Sequence, residues 1–197
     1  MNSSCDDIML NRRALWIGIV VETALSAVFL LWAWLTGFED RFLPLPRDIL
    51  SGLAGALSLF SLNVLFFQIA APRITYLRGC VRFVDEVLKP LADLFNWRSA
   101  IFISVIAGAG EELFFRGVVQ NECGLLAASV LFALVHFGPS VREHFVVAVI
   151  YTLVGLYLGI LYQISGTLWV PIGAHAFYDY LALLFLRYCY ARTPAAG

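Results

Sequence analysis

Apolar residues in this chain run in blocks of about twenty, the length a helix needs to cross a ~30 Å hydrocarbon layer, and short polar stretches separate them. The blocks fall at 14–35, 49–71, 99–119, 124–137, 145–163 and 168–187, the fourth being shorter than the rest. Turn signals punctuate the later ones at Asn121-Glu122, Gly138-Pro139-Ser140 and Ser165-Gly166. Between residues 72 and 98 the pattern changes. Arg73, Arg78, Arg82, Asp85, Glu86, Lys89, Asp93 and Arg98 alternate with Leu77, Val81, Val84, Leu88, Leu91 and Leu94 at three-and-four spacing, the signature of an amphipathic helix lying in the interface. Pro90 should kink that helix or split it. The fold class predicted is all-α: a polytopic membrane helical bundle of about six transmembrane helices plus an amphipathic interfacial helix. Residues 1–98 would supply two helices and the amphipathic segment, and residues 99–190 a core of four helices.

Composition agrees with the pattern. Of 197 residues, 61% are hydrophobic and 14% charged, which excludes a water-soluble globule with an ordinary polar surface. A net charge of −1 and the lack of any dense basic run give no reason to expect nucleic acid as a partner. Membrane lipids and lipid-embedded proteins are the expected partners. Cys5, Cys80, Cys123 and Cys189 form no CxxC pair, so neither a disulfide framework nor a cysteine zinc site is expected. The first apolar block follows Arg12-Arg13 and lacks a small-residue cleavage site, so it reads as a retained span. In a six-span path with the N-terminus in the cytoplasm, ten Lys and Arg lie on the cytoplasmic side, Arg41 and Arg47 lie outside, and Arg116 falls within the third span. That asymmetry supports the orientation, as expected of a multi-pass protein of a bacterial inner (plasma) membrane.

Charge inside an apolar block is costly, roughly 2.5–3.5 kcal/mol per ionisable group at the bilayer centre on insertion scales. Glu111, Glu112 and Arg116 all sit in the third block. Counted at 1.5 Å per residue, Glu111 is roughly 18 Å from the start of its span. His136 and His175, on later blocks, reach overlapping depths, which suggests one shared polar cavity. Residues four apart share a helix face, so Glu112 pairs with Arg116, Phe132 with His136, and His175 with Asp179. Glu111 lies a hundred degrees around the helix from Glu112 and has no basic residue four positions away. A carboxylate and a histidine around one water make a general-base arrangement, and a second histidine can donate to a developing oxyanion. Glu111 is the candidate base, His136 holds or shares the water, and His175 is the candidate oxyanion donor, oriented by Asp179. Glu112, Arg116 and Phe132 are supporting residues. His144, beside Arg142 and Glu143, reads as a solvated loop residue; Glu22, Asn63 and Gln68 read as polar contacts between the first two spans.

Three motifs in this order, Glu111-Glu112-Leu113-Phe114-Phe115-Arg116, Phe132-Ala133-Leu134-Val135-His136 and His175-Ala176-Phe177-Tyr178-Asp179, resemble those of the CAAX prenyl protease and bacteriocin-processing (CPBP, Abi-like) family of intramembrane glutamic endopeptidases. The resemblance covers about half the chain, residues 99–187. It implies water activation by the residues matching Glu111 and His136, and an oxyanion site lined by those matching His175 and Asp179. Many members carry asparagine at the last position. Aspartate donates no hydrogen bond unless protonated, so Asp179 is expected to orient His175.

The expected function is hydrolysis of a peptide bond near the C-terminus of a membrane-anchored or lipidated protein. A non-catalytic membrane scaffold or immunity factor of the same family is the alternative, and a proton-coupled transporter a weaker one, since no inverted repeat or paired broken helices are visible. No cofactor is expected. Catalytic zinc is a minority reading, because His-Glu-x-x-His is absent and the ligands would have to come from three helices.

Overall fold

Three of the long helices begin where the sequence supplies a proline or a side-chain acceptor for the backbone N–H groups at their start. In the computed structural model, which describes residues 3–41, 43–137 and 145–190, the long helices are α1 (Ser3–Thr36), α2 (Pro46–Leu65), α6 (Trp97–Glu112), α7 (Gln120–Phe137), α8 (Phe145–Ser165) and α9 (Trp169–Tyr188), with short helices α3 (Ala71–Arg73), α4 (Arg78–Phe83) and α5 (Lys89–Asp93) between α2 and α6. Pro46 opens α2, where its missing N–H costs nothing, and Asp48 accepts the Leu45 N–H. Asn96 caps α6, its Oδ1 accepting from the N–H groups of Arg98 and Ser99. Asp40, in the loop after α1, accepts from Leu168 N–H and Thr167 Oγ1 just ahead of α9.

Among the described residues, five segments are long and apolar enough to cross a membrane: Leu15–Thr36, Pro46–Arg73, Trp97–Phe137, Phe145–Ser165 and Trp169–Tyr188. Large apolar side chains such as Trp34 and Ile164, 78% and 80% exposed, face outward as lipid contact requires. No strand occurs among the described residues. The protein is an integral membrane protein with the all-α fold expected.

The third and fourth predicted blocks are the two arms of one helical run, Trp97–Phe137, that doubles back at Gly124, so these five segments contain all six blocks. Gly124 has φ +84° and ψ 167°, a conformation open to glycine and strained for any residue with a Cβ. In a straight helix Phe115 and Phe132 would lie roughly 25 Å apart along the axis. Their ring centroids are 5.3 Å apart.

The amphipathic segment also differs from expectation. It is broken at Ile74, whose backbone is extended (φ −108°, ψ 115°), and Pro90 does not divide it. A π-helical turn, Val84–Leu88, runs directly into α5, and Lys89 N–H bonds to the Val84 carbonyl. This widening immediately before Pro90 relaxes the crowding a proline ring imposes on the preceding turn. Val81 and Val84 are buried as their spacing predicts, whereas Leu91 is exposed.

Three turns, 37–45, 121–124 and 165–168, meet at one end of the bundle. Trp169 Nε1 donates to the Arg41 carbonyl (2.8 Å), Trp32 Nε1 to Glu122 (2.8 Å) and Asn121 Nδ2 to the Tyr162 hydroxyl (3.2 Å). At the opposite end Arg187 donates to the carbonyls of Asp93 and Phe95, tying α9 to the segment after α5. Within the bundle α9 packs against both α2 and α6. A Cβ built on Gly108 of α6 would stand 2.7 Å from the Ala176 backbone nitrogen of α9, so these two helices meet backbone to backbone. The predicted turn Gly138-Pro139-Ser140 and the residues Arg142, Glu143 and His144 lie outside the described residues.

Candidate active site

Glu111 lies thirteen residues before Gly124 and His136 twelve after it, so the reversal at Gly124 returns the chain alongside itself with these two side chains at the same level. His136 Nε2 is 3.8 Å from Glu111 Oε1. That is too long for a direct hydrogen bond and leaves both atoms able to contact a third group. His136 Nδ1–H donates to the Phe132 carbonyl (2.7 Å), which fixes the tautomer and leaves the Nε2 lone pair turned toward Glu111. Phe132 and Tyr151 flank the imidazole, with ring centroids 4.7 and 5.0 Å away. Glu111 Oε2 is buried and has no hydrogen-bond partner among the described residues.

Glu112, one residue further, turns into a different environment. It is 0% exposed, and its Oε1 accepts from Arg116 Nη1 (2.9 Å) and from His175 Nδ1–H (2.7 Å). Arg116, 1% exposed, also donates from Nη2 to the Gly155 carbonyl of α8 (2.9 Å), and its guanidinium carbon lies 5.0 Å from the Phe132 ring centre. Arg116 sits within a π-helical stretch, Leu113–Val119, that joins α6 to α7. Wide turns of this kind recur at functional sites. The arrangement links α6, α7, α8 and α9 through one ion pair. His175 Nε2 points the other way, 3.4 Å from Asp179 Oδ2. The expected pairings of Glu112 with Arg116 and of His175 with Asp179 are therefore present in space. What the sequence did not reveal is the Glu112–His175 bond, which is shorter than the Asp179 contact and makes Glu112 the tighter anchor of the imidazole.

Glu111, His136, His175 and Asp179 all line one cavity of about 560 Å³. Phe132 lies on its wall, while Glu112 and Arg116 stand behind it. Much of the remaining lining is apolar, from α2, α5, α8 and α9. Further polar groups on the wall, among them Glu22 of α1, Ser104 of α6, Tyr151 of α8 and Tyr178 of α9, were not singled out for this site by sequence reasoning. Asn63 Nδ2 donates to Tyr178 Oη (2.6 Å), an interhelical contact as expected of Asn63 although its partner is on α9. Lone polar residues in apolar spans carry no spacing motif; the usable signal was the cost of a carboxylate such as Glu22 in a span. No group of three or more His, Cys, Asp and Glu among the described residues is disposed to hold a metal ion.

Comparison with known proteins places the same stretch in context. Residues 93–181 match the profile of the family described as type II CAAX prenyl endopeptidase Rce1-like. That stretch contains α6, α7, α8 and the part of α9 with His175 and Asp179. The Bacillus subtilis protein named "Uncharacterized protein YpbD" is 33% identical over 92 residues, 47% of this chain and 48% of that protein. The chain thus matches about half the length of that relative. No solved structure matches.

Proposed function

From the premise that residues 93–181 belong to the Rce1-like family of type II CAAX prenyl endopeptidases, we propose that this chain is an intramembrane endopeptidase. Its substrate is a membrane-anchored or lipidated protein cut near its C-terminus, and its nucleophile is a water activated by Glu111 and His136. The chain sits in a bacterial plasma membrane with its N-terminus cytoplasmic, as the distribution of Lys and Arg favours.

The observation that carries this reading is the 3.8 Å approach of Glu111 Oε1 and His136 Nε2, two acceptors from opposite arms of the hairpin on the wall of one cavity. A water donating one hydrogen to each keeps an oxygen lone pair directed at a substrate carbonyl. Glu111 takes the proton as the oxygen attacks, and the carbonyl oxygen becomes an oxyanion. In this scheme His175 carries a proton on both ring nitrogens: Nδ1–H is held by Glu112, and Nε2–H, which faces Asp179 in the resting site, donates to that oxyanion. Collapse of the tetrahedral intermediate breaks the C–N bond, and the proton held by Glu111 passes to the leaving amine. Glu112 and Arg116 are positioning residues in this scheme, because they act through His175. Asp179 shares the orienting of His175 from the Nε2 side.

Purified protein in lipid nanodiscs, incubated with a membrane-anchored reporter, tests the reading. Glu111→Gln and His136→Ala should each lower cleavage by at least about 100-fold, the low end of general-base contributions, while leaving membrane insertion intact. Normal turnover by Glu111→Gln would refute the assignment. Undiminished turnover after exhaustive chelation is expected; a loss that added zinc restores would replace this scheme with a metal-dependent one.

A further inference from the structure

Among the described residues, the cavity wall carries three carboxylates, Glu22, Glu111 and Asp179, with His136 and His175, and no lysine or arginine. The guanidinium of Arg116, five residues after Glu111, is taken up by Glu112 and Gly155 behind the wall. Glu22 comes from α1, outside the stretch that matches the protease family. It is 7% exposed, and its Oε2 is buried with no hydrogen-bond partner among the described residues. Its carboxylate and backbone press on Gly110, next to Glu111, where a Cβ would collide with both. The absence of a side chain at residue 110 is what lets the α1 carboxylate reach the neighbourhood of the proposed base. Ser104 Oγ, two turns before Glu111 on α6, is a second unpartnered polar atom on the wall, in a residue 1% exposed.

A carboxylate has acceptors and nothing to donate, and one buried without a partner is costly. Its natural complement is a cation with N–H donors. We propose that Glu22 is a specificity-determining residue: it binds a lysine or arginine side chain that an otherwise apolar substrate segment carries close to its scissile bond. The apolar lining from Phe60, Val64, Phe67 and Leu183 receives the rest of that segment. The same wall disfavours an acidic residue or a free carboxylate near the cut, since no lysine or arginine among the described residues faces it. This inference deepens the protease reading and rests on it for the word substrate, yet binding can be measured without turnover.

The test uses the full chain carrying His136→Ala, so that nothing is cut, in nanodiscs of uncharged lipid. Three fluorescent apolar peptides, identical except for lysine, norleucine or glutamate at one central position, are the probes. Lysine should bind about tenfold more tightly than norleucine, in the range seen for close charge pairs, and glutamate more weakly than either. Glu22→Gln in the same background should reduce the lysine preference to about twofold or less. Glu22→Asp, which keeps the charge in α1 but withdraws it by one methylene, should give an intermediate preference and serves as the reading if Glu22→Gln does not fold. Equal binding of the three peptides, or a lysine preference that survives both substitutions, would overturn the inference. A lysine preference that depends on Glu22 in a protein that never cleaves its reporter would keep the binding site and reject the protease.

Discussion

Glu111 and Glu112 are adjacent in sequence and stand in opposite kinds of surroundings. Around Glu112 the protein supplies two donors to one oxygen, a carbonyl for the far side of Arg116 and an aromatic face for its guanidinium, all screened from solvent. Around Glu111 it supplies a histidine held just out of bonding range and a cavity, whereas the unpartnered Oε2 that each glutamate keeps among the described residues lies, for Glu112, behind the cavity wall. A closed ion pair fixes helices in register; an incomplete set of acceptors is a site for something that arrives from outside. The difference follows from helix geometry. Consecutive residues point about a hundred degrees apart, so a single Glu-Glu pair serves both purposes on one helix.

Five substitutions sharpen or break this contrast. The largest expected separation is at Glu111→Gln: cleavage falls by at least about 100-fold, whereas thermal unfolding in nanodiscs stays within about 0.5 kcal/mol of the unsubstituted protein. A large loss of stability there would show that Glu111 also holds the bundle together. Arg116→Met leaves Glu112 facing one donor in place of two and should destabilise by about 3–5 kcal/mol, with cleavage lost as well. Adding Glu112→Met should recover most of that stability and none of the activity, because His175 still lacks its anchor. If the double variant cleaves normally, Glu112 has no positioning role.

Gly108→Ala inserts a methyl group where α6 and α9 touch through backbone that cannot move aside cheaply. It should cost about 1–3 kcal/mol. Since α6 carries Glu111 and α9 carries His175, turnover should drop further than stability; a displacement of 1 Å can cost up to about 100-fold. Comparable unfolding with unchanged turnover would mean that the helices part without moving the site. Asp40→Ala, remote from the cavity, removes the acceptor ahead of α9 and should cost about 1 kcal/mol with little change in turnover, which a thermal melt and a cleavage assay together would check.

Much of this architecture follows from the chain read as text. Apolar block length placed the boundaries of α8 and α9 within two residues and named the motif residues that line or back the cavity. Even the approach of Glu111 and His136 was implicit, since they are nearly equidistant from a glycine beside a polar turn. The turn signal Asn121-Glu122 marked the reversal between the third and fourth blocks; what the pattern did not show is that helical backbone continues up to a single positive-φ residue, Gly124. The π-helical turns before Pro90 and around Arg116 were invisible as well: an extra residue in one turn changes which side chains share a face and leaves composition untouched.

Periodicity and transfer cost act through nearest neighbours along the chain and through the lipid around it, so the residues alone settle where helices run, which stretches enter the membrane and which charges demand an explanation there. The choice of partner for each charge belongs to contacts between helices far apart in sequence. His175 bonds Glu112 at a sequence separation of 63, and Glu22 reaches the cavity because Gly110 on another helix has no side chain. No local pattern encodes such distances, because they depend on how closely backbones pack once the bundle has formed.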